Sequence, residues 1–90
     1  MSAERVAMIR TRLEAALSPT ELEVIDESHL HAGHAGARDG RGHFRVRVVS
    51  SAFVGRSRLA RHREVYAAMG GLMTSDIHAL NIEAVTPDEA

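Results

Sequence analysis

His43-Phe44-Arg45-Val46-Arg47-Val48-Val49-Ser50-Ser51 is the stretch that decides the fold. Apolar and polar side chains alternate along it with the period of a half-buried strand, so Phe44, Val46 and Val48 face a core while His43, Arg45 and Arg47 face away. Upstream, Leu22 to Ser28 is short and rich in branched residues, with Leu22 and Val24 on one side and Glu23 and Ile25 on the other, and reads as a first strand. Between the two, His29 to Gly42 carries Gly33, Gly36, Gly40 and Gly42, which predicts a hairpin with a long, flexible tip. Ahead of them, Val6, Ile9, Leu13, Ala16 and Leu17 recur at helical steps after a capping Ser2, and Ser18-Pro19 stops that helix.

Downstream, Phe53 and Gly55 make an exit turn and Ser57 caps a second helix, whose buried stripe is expected to hold Leu59, His62, Tyr66 and Met69, widened by Val65 and Leu72. Gly70-Gly71 weakens that helix, which is expected either to break there or to kink into a last turn with Leu72 and Met73. Ala79 to Val85 alternates again, with Leu80, Ile82 and Ala84 inward, and Thr86-Pro87 ends it. The expected fold is α+β, a small α/β sandwich in the order αββα(α)β: a three-stranded mixed sheet with helices on one face.

The 90 residues make one domain, residues 1–90, able to bury a single modest core. A hydrophobic fraction of 44% beside 26% charged residues fits an ordinary globular chain, and the apolar runs are too short to span a bilayer, so no membrane partner is expected. A cytoplasmic location is the expectation, as no basic-then-apolar leader opens the chain. There is no cysteine, so sulfur for any soft-metal chemistry must come from a partner. All 11 basic residues are arginine, and most lie between Arg38 and Arg63, a concentration that suits an anionic partner.

Asp26 to His34 holds His29, His31 and His34 where the first strand gives way to the loop. His29 and His31, one residue apart, share a side if extended; His34 can fold back at Gly33, and His78 opens the last strand. Clustered loop histidines are often only solvated, and a self-contained zinc site needs four ligands, which usually include thiolates. His43 reads as a surface residue, and His62 as a structural histidine hydrogen-bonded beneath the second helix. Arg56 to Arg63 resembles a phosphate-neutralising helix in which Arg58, Arg61 and Arg63 would bind nucleic acid or another partner, although only Tyr66 nearby could stack on a base. No nucleophile and base stand in a recognisable arrangement, which argues against an enzyme.

Asp26-Glu27-Ser28-His29 with His31, His43-Phe44-Arg45-Val46, Val49-Ser50, Phe53, Gly55, Arg61-His62-Arg63 with Tyr66, and Ile77-His78-Ala79-Leu80 through Thr86-Pro87 together resemble the BolA family, co-linearly over nearly the whole chain. The resemblance implies a topology similar to class II KH domains. It also implies an adaptor, a monomer on its own, that pairs with a monothiol glutaredoxin and co-ligates a shared [2Fe-2S] cluster with the glutaredoxin cysteine and glutathione, acting in iron-sulfur trafficking or iron and redox regulation. No cofactor is expected in the isolated chain. The implied ligands are His78 and, from the loop, His31, with His29 and His34 as alternatives. A second implied role is DNA-binding transcriptional regulation through the helix bearing Arg61 to Arg63.

Overall fold

The computed structural model describes residues 2–31 and 40–90, with side chains for residues 3–29 and 40–90. Helix α1 (Ser2–Leu17) buries Ile9, Leu13 and Leu17. Those positions repeat every fourth residue; Val6 is only partly buried, and Ala16 lies off the line and is exposed. Ser18 takes a left-handed backbone, φ 44°, and its N–H returns to the Glu14 carbonyl at 3.2 Å, which closes the helix before Pro19. The buried Ser50 hydroxyl donates to the Leu17 carbonyl at 2.6 Å and accepts from the Ala52 amide at 3.1 Å, so the end of this helix is tied to the chain just beyond the central strand.

Strand β1 (Glu21–Asp26) pairs antiparallel with β2 (Gly42–Val49), and β2 pairs parallel with β3 (Ile77–Val85), giving the sheet order β1-β2-β3. One face of this mixed sheet is apolar: Phe44, Val46, Val48 and Ile82 are buried and Leu22, Val24, Leu80 and Ala84 partly so, in one cluster with Ile9, Leu13, Val65 and Met69 from the helices. Each fully buried side chain of this kind contributes about 1.5–3 kcal/mol relative to exposure. The fold class expected from the sequence is the one observed.

Three local details differ from the sequence reading. Strand β1 stops at Asp26, two residues early, because the Asp26 carboxylate accepts the Ser28 N–H at 2.8 Å and turns the chain into a 3-10 turn at Ser28–His31. His29 and His31 are therefore not extended. Strand β3 starts at Ile77, which is fully buried. Helix α2 (Arg58–Met69), capped by the Ser57 hydroxyl accepting from the Ala60 amide, buries Val65 and Met69, while Leu59 is 60% and Tyr66 42% exposed. The buried stripe is thus turned toward Arg61, His62, Val65, Ala68 and Met69, because Val65 and Met69 pack into the core cluster on the sheet face.

Gly70, at φ 53°, ends α2, and Leu72–Ser75 forms the one-turn helix α3, as the glycine pair suggested. Among the described residues no helix is long and apolar enough to cross a membrane.

Gly42 is held between close neighbours: a Cβ there would lie 2.6 Å from the Phe44 ring and 2.8 Å from Ser28 Oγ, whereas one on Gly71, already in right-handed helical geometry, meets nothing within 4 Å. Gly42→Ala should therefore cost about 1–3 kcal/mol in urea denaturation, and Gly71→Ala should leave stability unchanged or raise it by about 0.4–1 kcal/mol.

Candidate metal and partner site

The topology collects three strand ends at one end of the sheet. Strand β1 finishes where β2 and β3 begin, so the turn after Asp26, the first residues of β2 and the first residues of β3 are neighbours. The turn is anchored there: the Glu27 N–H donates to the His43 carbonyl at 2.8 Å, the His43 N–H to Ser28 Oγ at 3.1 Å, and Arg45 Nε to Glu27 Oε2 at 2.9 Å. Arg5 of α1 reaches the same end, donating to the Gly40 carbonyl at 2.6 Å and pairing with Asp76 at 3.3 Å. The Ser75 hydroxyl first, then Arg5, hold the Asp76 carboxyl below its ordinary range.

A bulge positions His78. The register steps from Gly42↔Ile77 to His43↔Ala79, leaving His78 as an extra residue on β3. Strict alternation would turn His78 to the helix face with Leu80; instead it is exposed, and its ring lies against that of His43 with centroids 5.0 Å apart and planes at 49°. His43 is half-buried, more enclosed than the surface residue its polar-face position suggested. Sequence reasoning overlooked this pairing, because the bulge carries no glycine or proline to announce it. The only available hint was that two parallel strands would each begin with a histidine.

Arg41 Nη2 stands 3.2 Å from His78 Nδ1. A guanidinium has no acceptor, so Nδ1 accepts, and the proton of the neutral ring resides on Nε2. A metal can take the Nδ1 lone pair only by displacing Arg41, or Nε2 only if the tautomer changes.

Of the other histidines, His29 is exposed on the 3-10 turn. His31 closes that turn, but its side chain lies outside the described residues, as does the whole of His34. His62 is half-buried on the wall of a groove beside Leu80 and makes no hydrogen bond among the described residues, in contrast to the hydrogen-bonded role expected for it. Among the described residues no three histidines, aspartates or glutamates converge to hold a metal ion.

The basic segment is largely neutralised from within. On the open sheet face Arg47 sits 3.3 Å from Glu21 and 3.6 Å from Glu83, and Arg45 pairs with Glu27. Arg56 pairs with Glu64 at 3.6 Å. Arg61, 14% exposed, donates to both carboxylate oxygens of Glu89 at 2.6 and 3.2 Å and to the Ala84 carbonyl at 3.2 Å, so it clips the C-terminal turn to β3 and is not free for a partner. Arg58 and Arg63 are exposed and make no ion pair among the described residues.

The family model described as BolA-like protein matches residues 13–89. The chain belongs to the BolA-like family. This BolA-like chain is 49% identical over 86 residues to "SufE-like protein 1, chloroplastic/mitochondrial" of Arabidopsis thaliana, covering 90% of the chain but only 23% of that protein. It is 40% identical over 86 residues to the "DNA-binding transcriptional regulator BolA" of Escherichia coli K12, covering 91% of the chain and 79% of the regulator. Its fold matches the solved BolA domain of SufE1 from Arabidopsis thaliana with a TM-score of 0.85 at 45% identity, over 96% of this chain and 95% of that one.

Two measurements check this geometry. The Arg61 guanidinium, followed by the Thr86 amide, draws the Glu89 carboxyl down to about 2 from 4.5. Because the folded value is the lower one, the stabilisation is complete above the unfolded value and disappears as pH falls toward about 2. Glu89→Gln should lower the urea midpoint near neutral pH and flatten its decline through that acid window. For the second contact, Arg41→Ala should move the His78 proton from Nε2 toward Nδ1, read from the imidazole nitrogen chemical shifts at a pH where the ring is neutral.

Proposed function

We propose that this BolA-like chain is a non-catalytic adaptor that completes a partner's iron-sulfur centre with imidazole ligands. The observation that carries this reading is His78, lifted by a bulge onto an exposed strand start beside His43, in a chain with no cysteine. Imidazole nitrogen suits iron and zinc alike, but a [2Fe-2S] centre needs four protein or thiol ligands, and this end of the sheet offers imidazoles and carboxylates but no thiolate. The donor set therefore fits half a centre, with His78 and a histidine of the Ser28–His31 turn or the loop after it, His31 first, as this chain's share. Thiolates would come from a monothiol glutaredoxin and glutathione. A centre with imidazole in place of two thiolates has a higher reduction potential than an all-thiolate one.

The rest of the site is the chain's own work. The hydrogen bonds of Ser28 and Glu27 to His43 hold the turn against β2, which limits how far its histidines can stray from His78. His43, packed on the His78 ring, limits its rotation, and Arg41 keeps the Nδ1 lone pair covered until a ligand displaces it.

DNA-binding regulation, the role in the name of the Escherichia coli relative, is the second reading. It would rest on Arg58 and Arg63, since Arg61 is already engaged, and salt-dependent binding to duplex DNA would have to depend on those two.

Titration with a cluster-loaded monothiol glutaredoxin discriminates between the readings. The visible circular dichroism should change on addition of the wild-type chain and stay unchanged with the His31→Ala, His78→Ala double variant. A full response from the double variant, shown to be folded by its far-ultraviolet spectrum, would remove these residues from the proposal.

A further inference from the structure

Strand β3 is an open edge of the sheet, and its exposed side is not bare surface but the floor of a groove. Two adjoining depressions, of about 370 and 420 Å³, run along it. The first touches Leu80 and Ile82, the second Ile82 and Ala84, and the opposite wall is the start of α2, with Arg58 and His62 lining both.

Which backbone groups face the groove follows from the ladder. Ser50 donates to the Val85 carbonyl at 3.0 Å, so Val85 turns its backbone groups toward β2, and by alternation so do Glu83, Asn81 and Ala79. The N–H and C=O groups of Leu80, Ile82 and Ala84 then point into the groove. Arg61 confirms this parity by donating to the Ala84 carbonyl from the groove side. That contact caps the edge at one end, a common protection against unwanted strand pairing. At Leu80 and Ile82 no such cap exists among the described residues, and both N–H and C=O pairs remain available.

The charge of the groove indicates what complements it. Its acidic neighbours Glu27 and Glu83 are paired with Arg45 and Arg47 on the sheet face. Arg58, shared by both depressions, has no ion pair among the described residues. We infer that this groove takes an extended acidic peptide, which adds a short fourth strand at Leu80–Ile82 and places a carboxylate against Arg58. Backbone pairing supplies the register, and the arginine supplies the preference for acid.

Single-stranded nucleic acid fits less well, because the groove alternates donors with acceptors and, apart from the imidazoles of His43 and His62, its one aromatic side chain, Phe44, is buried. A second copy paired through the same edge would bring two Arg58 side chains to one seam. The inference stands apart from cluster ligation, since neither Leu80, Ile82 nor Arg58 has a part in that reading.

The test uses the full chain and a fluorescent peptide of about eight residues alternating valine and glutamate. On peptide addition, hydrogen exchange at the Leu80 and Ile82 amides should slow, and fluorescence anisotropy should show Arg58→Glu weakening binding by about tenfold or more. Arg63→Glu, which leaves the groove lining intact, should change it little. Equal losses from the two variants would reduce the effect to general charge and overturn the inference. So would unchanged exchange at Leu80 and Ile82, tighter binding of a thymidine oligonucleotide that protects the same amides, or protection that rises with protein concentration in the absence of peptide.

Discussion

The parallel pairing of β2 with β3 is the constraint on which the rest depends. Two parallel neighbours cannot be joined by a tight turn, so the chain must travel back over the sheet, and α2 is that return path. The same pairing brings the starts of both strands together, while antiparallel β1 delivers its end to the same place. His43, His78 and the turn bearing His29 and His31 consequently meet at one end of the molecule, although His29 and His78 are far apart in sequence. The bulge at His78 then lifts that ring out of the core-facing series and sets it beside His43.

A second economy concerns charge. The arginines concentrated in the middle of the chain suggest a basic face, yet folding interleaves them with acids from both flanks. Glu21, Glu27, Glu83 and Glu89 reach Arg47, Arg45 and Arg61 across strands and from the C-terminal turn. Exposed pairs of this kind each add little stability. Their effect on recognition is larger, because among the arginines of α2 they leave Arg58 and Arg63 as the cations available to an outside anion.

Much of this was legible beforehand for a local reason. Strict alternation in Phe44, Val46 and Val48, the Ser57 cap and the Gly70-Gly71 break are properties of neighbouring residues and survive into the structure unchanged. Errors arose where a distant element decided. Leu59 and Tyr66 belong to a plausible apolar stripe, but α2 is rotated by the need to place Val65 and Met69 on the sheet. Arg61 sits in an arginine-rich segment that suggested phosphate binding, but Glu89 and the Ala84 carbonyl claim it.

The sequence by itself determined the elements, their order, the side of each strand that faces the core, and that none of these residues supplies a thiolate, since all of these follow from residue type and short-range periodicity. Tertiary structure alone decided that His43 joins His78, that Arg41 covers the His78 nitrogen, and that the edge of β3 is left open beneath Arg58. Those facts depend on strand register and on a one-residue bulge, and register is a property of two strands together that neither strand encodes alone.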